Sequence, residues 1–377
     1  LQILQRSSSI LIGKNILCQD MTTCHPSLFC AIARVDMHPI LHATVDRNRL
    51  TNRLNLFFGI NEVFDVSVVH GGFMCQNFRI DSDKGVFFLK QYRNRVNTVV
   101  NEIKKGETYF ASHGLPIILP LLDTFGRQAF WIDGHWFSLF PFIEKTNPKF
   151  GTIKLPLAQS LGSMLADFHS AGMRHQHQNF QQINIGNLQK FHLEKVELEL
   201  ILNEIEIKGE IENAIHELLE YKMIIVKKNN PRSKHLYLKN DCLLHGDYQY
   251  FNIFADDGGN ITHVYDLEKV SFGPRSFELA RALLLNCFDD GWNDFNYGLG
   301  KAFLESYLEK QPMDFSEFEK GMQLYAYQVI HTTWIEARYL IYGLKKHLEI
   351  FDRHANRIHF ISSDAFSDFC HDIFPHK

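Results

Sequence analysis

Three polar side chains at fixed spacing carry the strongest chemical signal in this sequence. Asp247 follows the apolar run 242–244, and Asn252 comes five residues later. Asp266 follows a second apolar run, 261–265. A carboxylate beside a hydroxyl can accept its proton, and carboxylate and amide oxygens are ligands that Mg²⁺ accepts. Phosphoryl transfer requires these groups, so we interpret Asp247 as a catalytic base and Asn252 and Asp266 as metal ligands.

Two short strands and a hairpin must position these groups. The runs 242–244 and 261–265 have the length and apolar character of strands, and each delivers a carboxylate at its C-terminal end. Between them, Asp257-Gly258-Gly259-Asn260 has the composition of a hairpin turn. This layout brings the three polar side chains to a common edge.

The motifs in this stretch resemble a known family. His245-Gly246-Asp247-x-x-x-x-Asn252, followed by Tyr265-Asp266-Leu267-Glu268, resembles the aminoglycoside phosphotransferase and choline kinase superfamily, a relative of the protein kinases. Gly273-Pro274-Arg275-Ser276-Phe277-Glu278-Leu279-Ala280 resembles the family segment that begins a helix soon after the metal-binding Asp. In protein kinases a long activation loop and an Ala-Pro-Glu motif would intervene. The short separation here favours a small-molecule kinase.

The resemblance implies an α+β, protein-kinase-like fold with two lobes. A small antiparallel β lobe would bind ATP, and a larger, mostly helical lobe would carry the catalytic stretch and the acceptor pocket. We predict an extension over residues 1–36, a nucleotide-binding lobe over 37–143 and the larger lobe over 144–377. Glu268, in the Asp-x-Glu form of choline kinases, would add a further contact at or near the metal.

Strands and a turn ahead of the catalytic stretch predict the nucleotide site. The alternating runs predict strands at 64–69, 78–80 and 86–90. Lys90 ends the third strand, and in the family this lysine contacts the α- and β-phosphates. The turn 70–77, with Gly71 and Gly72, lies where the family covers the phosphates with backbone N–H groups. The turn is not a Gly-x-Gly-x-x-Gly, so its support comes from its position one strand before Lys90.

Two further features of the small lobe follow from the resemblance. The predicted helix 97–112 should carry an acid that pairs with Lys90, and both Glu102 and Glu107 qualify. We choose Glu102, whose distance from the helix end comes closer to the family pattern, and Glu107 stays open. The run 138–144 resembles the hinge, where backbone groups at Pro141 and Ile143 would meet an adenine.

Periodicity and helix-breaking residues predict the remaining elements. We expect a helix over 44–59 that stops at Gly59, strands at 117–122, 128–132 and 135–140, a helix over 155–171, helices within 191–228, and helices throughout after Ala280. His169, in the helix 155–171, is interpreted as a packing residue and not as a catalyst.

Composition limits the class of protein. The chain has 377 residues, 45% hydrophobic and 22% charged, which is ordinary for a globular protein of two domains or two lobes. A net charge of −4 gives no basic field for nucleic acid or anionic membranes, and no apolar run reaches the length of about 18 residues that spans a bilayer. Seven cysteines without a Cys-x-x-Cys spacing predict free thiols in a cytoplasmic protein. Nothing indicates the oligomeric state.

The predicted activity is transfer of the γ-phosphate of ATP, with Mg²⁺, to a hydroxyl of an amino alcohol, a sugar or an aminoglycoside-like molecule. Residues 286–377 hold 14 acidic and 9 basic residues, which mildly favours a cationic acceptor. Aromatic residues at 325, 327, 334 and 339 either embrace such a cation or pack in the core. The alternatives are a bacterial Ser/Thr protein kinase of the stress-response type and a nucleotide-binding pseudokinase.

Overall fold

The computed structural model describes residues 46–69, 76–92, 95–144, 147–148, 152–175, 180–229, 238–289 and 291–375. All of them belong to one compact unit, residues 45–377. The predicted extension 1–36 and the turn with Gly71 and Gly72 lie outside the described residues. The lobe boundary near residue 143 stays a prediction.

The small lobe is built on a five-stranded antiparallel sheet with the strand order β1-β2-β3-β5-β4. Its elements are α1 (Arg47–Phe58), β1 (Val63–Val69), β2 (Gln76–Ser82), β3 (Gly85–Tyr92), α2 (Asn97–Ser112), β4 (Phe130–Ile132) and β5 (His135–Pro141). Leu50 and Leu54 of α1 are buried in one core cluster with Phe130 and Phe137 of the sheet. As predicted, α1 ends at Gly59, which takes a φ of 64° at the cap.

One predicted strand of the small lobe is wrong. Residues 117–122 form only an isolated bridge and no strand. Pro116 and Pro120 explain the error, because each lacks the N–H group that a strand ladder needs. The segment instead forms backbone hydrogen bonds with Val264 at one end and with Leu139 at the other. It therefore joins the sheet of the small lobe to the hairpin that precedes Asp266.

The large lobe is mostly helical, and two short strand pairs lie in the catalytic stretch. Its helices are α3 (Leu155–Met173), α4 (Leu188–Glu204), α5 (Glu210–Asn229), α6 (Arg275–Cys287), α7 (Tyr297–Lys310), α8 (Phe315–Ile330), α9 (Trp334–Leu340), α10 (Phe351–Ser362) and α11 (Ala365–Ile373). Its strands are β6 (Cys242–Leu244), β7 (Ile253–Ala255), β8 (Ile261–Val264) and β9 (Ser271–Gly273). β6 pairs with β9, and β7 with β8, both antiparallel.

Helix α3 contacts its neighbours through glycines. A Cβ atom on Gly162 would lie 1.9 Å from the carbonyl oxygen of Phe303 in α7. A Cβ on Gly172 would lie 2.1 Å from the carbonyl oxygen of Leu243 in β6. Both approaches are closer than any side chain permits, so α3 packs directly on the backbone of the strand that leads to Asp247.

The aromatic residues at 325, 327, 334 and 339 lie on two helices. Tyr325 and Tyr327 belong to α8, which ends at Ile330, and Trp334 and Tyr339 belong to α9. Side chains in the turn between them donate hydrogen bonds to the last carbonyl groups of α8, which ends that helix. Tyr325 is buried, whereas Trp334 is exposed.

A buried charged cluster links three segments of the large lobe. The Lys222 ammonium lies 2.5 Å from Glu336 Oε1, 2.7 Å from the Thr332 carbonyl and 3.3 Å from His354 Nε2. All three ionisable side chains are buried. Burial, together with the neighbouring Lys222 charge, lowers the pKa of His354 to about 4. His354 is therefore neutral in the folded chain at neutral pH.

The cysteines that the structure describes are free thiols. Cys242, Cys287 and Cys370 are free and buried, as predicted, and the other cysteines lie outside the described residues. Over the part of the chain that the structure describes, no helix is long and apolar enough to cross a membrane.

We predict that His354 makes the stability of the fold depend on pH. The pKa of His354 is about 4 in the folded chain, and its ordinary value is 6.5. Between these pH values the imidazole is protonated in the unfolded chain and neutral in the folded chain. The free energy of unfolding should fall as pH falls from about 6.5 towards 4, and His354→Gln should make that decline shallower. Urea unfolding at pH 7 and pH 5 measures it, with the exposed His359→Gln on the same helix as control. Equal declines in the wild type and His354→Gln would contradict the prediction.

Candidate active site

Asp247 lies in the loop after β6, and both of its carboxylate oxygens accept hydrogen bonds from side chains. Oδ1 accepts hydrogen bonds from Gln249 Nε2 at 2.9 Å and from Arg281. Oδ2 accepts one from Lys269 Nζ at 2.9 Å. Burial opposes ionisation, but the charges of Arg281 and Lys269 hold the pKa of Asp247 well below its usual range. Asp247 is therefore a carboxylate at neutral pH, the form that a base requires.

Glu278 on α6 holds the catalytic loop in place. Its fully buried carboxylate accepts hydrogen bonds from the backbone N–H groups of His245 (3.1 Å) and Gly246 and from His169 Nε2 (3.2 Å). Burial raises the pKa of Glu278, and these bonds lower it by more, so the pKa is depressed overall. His169, held also by Tyr307 at 2.7 Å, has a supporting role and no contact with Asp247.

His245 and Gly246 shape the loop between Glu278 and Asp247. The Asp247 N–H donates to His245 Nδ1 at 3.2 Å, so His245 Nε2 carries the proton that it donates to the Tyr265 carbonyl at 3.1 Å. Burial lowers the pKa of His245 and keeps the ring neutral. Gly246 has a φ of 82°, and a Cβ there would lie 1.9 Å from the Lys269 carbonyl oxygen. Only glycine fits at this position.

Of the two predicted metal ligands, Asp266 pairs with Lys90 and Asn252 binds the loop of Asp247. Asn252 is buried, and its Nδ2 donates to the Asp247 carbonyl at 2.8 Å, which aims its Oδ1 away from that bond. The Lys90 ammonium lies 2.7 Å from Asp266 Oδ1 and 2.6 Å from Glu268 Oε1. Asp266 takes a φ of 65°, a left-handed conformation that is costly for a residue with a side chain and recurs at functional sites.

These residues fit a magnesium ion. Asn252, Asp266 and Glu268 offer only oxygen atoms, the ligands that Mg²⁺ takes, and the Asn252 Oδ1 accepts no hydrogen bond from any described residue. The described residues form no group of three or more His, Cys, Asp and Glu side chains around one point. A site with few protein ligands is typical of Mg²⁺, which keeps waters and binds substrate phosphates.

The choice of Glu102 as the partner of Lys90 needs correction. Glu102 lies on another face of α2, where its carboxylate accepts a hydrogen bond from the Gln181 N–H at 3.4 Å. Glu107 is buried and pairs with Lys104 at 2.8 Å. Burial raises the pKa of Glu107, and the charges of Lys104 and Lys90 act against that rise. Of the two candidate acids of α2, Glu107 is therefore the one on the Lys90 side of the helix. Lys90 itself forms ion pairs with Asp266 and Glu268.

The predicted hinge lies at the end of β5. Pro141 pairs with Phe87 at the last position of the strand, and Ile143 follows it, half buried. The Ile143 N–H group donates no hydrogen bond to any described residue. Gly71 and Gly72, the predicted phosphate-covering residues, lie outside the described residues, so their role stays a prediction.

Three residues at the centre of the site have no role in the sequence-based predictions: Glu278, Arg281 and Lys269. Glu278 and Arg281 lie three residues apart on α6 and so share one face of the helix. Two opposite charges at helical spacing, soon after the Asp247 motif, were the available signal. Lys269 follows Asp266 by three residues and gave no signal of its own.

We predict that Glu278→Gln disrupts the catalytic loop. The glutamine side chain keeps one acceptor oxygen, and its NH₂ group takes the place of the other. At least one of the buried N–H groups that donate to Glu278 therefore loses its acceptor. We expect about 3 kcal/mol less stability and at least a tenfold fall in turnover. Urea unfolding and an ADP-release assay measure these, with the exposed Glu309→Gln of α7 as control. Wild-type stability and turnover in Glu278→Gln would contradict the assignment.

Known structures share this architecture. Spectinomycin phosphotransferase in complex with ADP and spectinomycin has a TM-score of 0.61 at 16% identity, over 86% of this chain and 98% of that chain. Amicoumacin kinase in complex with AMP-PNP, Ca²⁺ and Ami has a TM-score of 0.60 at 13% identity, over 85% of this chain and 96% of that chain. A microcompartment-associated aminopropanol kinase has a TM-score of 0.59 at 11% identity, over 86% and 98%. These likenesses confirm the predicted kinase-like fold.

Sequence comparison identifies the family. No curated protein sequence matches the chain. The family model described as the phosphotransferase enzyme family matches residues 65–313, which is well over half of the chain. The match begins within β1, ends just after α7 and includes all of the site residues described here. The chain belongs to the phosphotransferase enzyme family, and it is a phosphotransferase that acts on an alcohol group of a small molecule.

Proposed function

We propose that this enzyme transfers the γ-phosphate of ATP to a hydroxyl group of an amino alcohol, a sugar or an aminoglycoside-like molecule. The observation that carries the proposal is the ion pair of Lys90 with Asp266. The residue before Asp266 donates its N–H to the Asn252 carbonyl, and the Asn252 amide donates to the Asp247 carbonyl. A phosphate-binding cation, two metal-binding oxygens and a base are the parts that phosphoryl transfer to a hydroxyl needs.

The transfer follows from these groups. The acceptor oxygen bonds to the γ-phosphorus, the bond from that phosphorus to the β–γ bridging oxygen breaks, and ADP leaves. The hydroxyl proton passes to the Asp247 carboxylate. Because the pKa of Asp247 is depressed, it is a weak base, and its larger contribution is to orient the hydroxyl. Little proton abstraction is needed in a loose transition state.

Lys90 and the metal ligands hold the nucleotide. Asn252 and Asp266 would hold Mg²⁺ through their side-chain oxygens, and the bound metal would neutralise charge on the β- and γ-phosphates. The Lys90 ammonium exchanges a carboxylate for the α- and β-phosphate oxygens, which carry the same sign of charge. The Ile143 N–H group is free of described partners and suits an adenine nitrogen. The ADP, AMP-PNP and Ca²⁺ in similar structures support ATP with a divalent metal.

The acceptor class rests on two features. The structural neighbours include kinases of aminopropanol and of spectinomycin, which supports an alcohol that also carries amino groups. The acidic balance of residues 286–377 favours the same cationic character. Next to Asp247, however, the charged neighbours are Lys269 and Arg281. An ammonium group of the acceptor would therefore bind away from the reacting hydroxyl, towards the acidic helices.

Replacing Asp247 by Asn tests the proposed base. The amide keeps the shape but removes the proton acceptor and the negative charge between Lys269 and Arg281. We expect at least about a hundredfold lower turnover. ADP release is measured over a panel of aminopropanol, choline, homoserine, sugars and aminoglycosides, with the exposed turn residue variant Asp257→Asn as control.

Two outcomes would contradict the proposal. Full transfer by Asp247→Asn to the acceptor that the wild type prefers would remove Asp247 from the mechanism. Phosphorylation of serine or threonine in protein substrates, with no small molecule accepted, would favour the protein-kinase alternative.

A further inference from the structure

Arg357 on α10 is a half-buried cation that pairs with no carboxylate in the part of the chain that the structure describes. Its guanidinium donates hydrogen bonds to the Tyr325 hydroxyl at 3.4 Å and to His354 Nδ1 at 3.0 Å. A phenol and a neutral imidazole carry no charge, so these contacts leave the positive charge unbalanced. The buried Nε–H group of Arg357 has no acceptor among the described residues. A guanidinium withdrawn from water normally pairs with an acid, so this arrangement points to an anionic ligand.

An aromatic ring and a bent loop support this guanidinium. Its carbon lies 5.5 Å from the centroid of the Trp292 ring, and Trp292 stacks on Phe288 with centroids 4.2 Å apart. Trp292 takes a φ of 57°, a left-handed conformation that is costly for a bulky residue and recurs at functional sites. Asn356 Nδ2 donates to the Gly291 carbonyl at 2.9 Å, which holds the loop of Trp292 against α10. The guanidinium is therefore held in one orientation.

Two side chains connect Arg357 with the catalytic base. Tyr325 on α8 accepts the hydrogen bond of Arg357 on one side. Burial lowers the pKa of Arg281, and its neighbours, first Asp247 and then Tyr325, raise that pKa by more. Tyr325 therefore lies within electrostatic range of Arg281, which itself binds Asp247. The contacts run from Arg357 through Tyr325 and Arg281 to the base.

Helix α10 also approaches the catalytic loop directly. Arg353 precedes Arg357 by one helical turn, so the two side chains share one face of α10. Burial raises the pKa of Tyr250, and the charge of Arg353 opposes that rise, which places Arg353 beside the Tyr250 phenol. Tyr250 lies three residues after Asp247. The arginine face of α10 therefore borders the loop that carries the base.

The chemistry of the ligand follows from that of the guanidinium. A guanidinium has five N–H groups, so Arg357 keeps donors beyond those that bind Tyr325 and His354. Its planar fork matches the two oxygens of a carboxylate, whereas an ammonium group would be repelled. An acceptor with its hydroxyl at Asp247 and a carboxylate at Arg357 satisfies both side chains.

We propose that Arg357 binds a carboxylate of the acceptor, which makes the acceptor a hydroxylated amino acid. The proposal rests on the proposed function and narrows its acceptor class. Arg357 contacts no reacting atom, and the transfer from ATP proceeds as described above. By binding the far end of the acceptor, Arg357 orients the hydroxyl towards Asp247 and the γ-phosphorus. An amino group on the same molecule would bind towards the acidic helices.

Acceptor pairs that differ by one carboxylate test this role. Homoserine without its carboxylate is propanolamine, serine without it is ethanolamine, and threonine without it is isopropanolamine. ADP release in the presence of ATP and Mg²⁺ measures kcat and KM for both members of each pair. The assay compares the wild type with Arg357→Gln and Arg357→Lys. Arg174→Gln, at an exposed arginine directly after α3, is the matched control.

We expect the wild type to use the carboxylate member of at least one pair with a kcat/KM at least about thirtyfold above that of its partner. Arg357→Gln should abolish this preference, mainly through a higher KM, and should leave kcat/KM for the partner amino alcohol within about twofold of the wild-type value. Arg357→Lys should retain part of the preference, because it keeps the charge without the fork, and Arg174→Gln all of it. Thermal melting checks that each variant is folded.

Two results would overturn the inference and leave the proposed function in place. One is a wild type that uses amino alcohols as well as, or better than, their carboxylate partners. The other is a preference for the carboxylate member that survives unchanged in Arg357→Gln. A wild type that shows no shift in thermal melting with ATP and Mg²⁺ would instead remove the proposed function, and the role of Arg357 with it.

Discussion

The contact of Lys90 with Asp266 and Glu268 is the interaction on which the site depends. It joins the last buried part of β3 to the loop after β8, so it ties the sheet of the small lobe to the catalytic stretch. With Lys104 and Glu107 nearby, the cleft between these segments contains three carboxyl groups and two ammonium groups. That arrangement suits a ligand that brings both cations and phosphates, because each new charge finds a partner of opposite sign.

The large lobe supports this cleft through buried polar contacts. Glu278 fixes the backbone ahead of Asp247, Arg281 fixes the Asp247 carboxylate, and α3 packs against the backbone of β6. Fully paired buried groups of this kind are rigid, since the loss of either partner leaves the other without a hydrogen bond. The Asp247 oxygens are therefore held in position before any substrate binds, which would lower the cost of reaching a reactive geometry.

Local patterns predicted the parts of this structure that local forces determine. The spacing of Asp247, Asn252 and Asp266 predicted a shared edge, and the two strands and the hairpin between them are present. The helix bounds of α2 were also correct. The predicted strand at 117–122 is absent although the segment is apolar. Pro120 removes one backbone donor within it, and Pro116 removes another directly before it.

The rest of the site depends on contacts that the chain order conceals. Lys269 lies 22 residues from the carboxylate that it binds, and nothing in its own neighbourhood indicates that contact. Glu278 lies 32 residues from Gly246, and its spacing from Arg281 on α6 does not show which loop it binds. Which face of α2 points at Lys90 is set by how the helix docks, and that selects Glu107 over Glu102. The identity of the acceptor could not be predicted from the sequence, because the family resemblance places the acceptor pocket among separate helices of the large lobe and no local motif specifies it.

Thermal melting of the purified chain with ATP, with and without Mg²⁺, tests the central claim most directly when it is repeated for Asp266→Ala. Ligand that binds only the folded state raises the melting temperature. We predict a rise that requires Mg²⁺ and is lost in Asp266→Ala, because Asp266 pairs with Lys90 and is a proposed ligand of the metal. No rise in the wild type, or an equal rise in Asp266→Ala, would contradict a nucleotide site at this cleft.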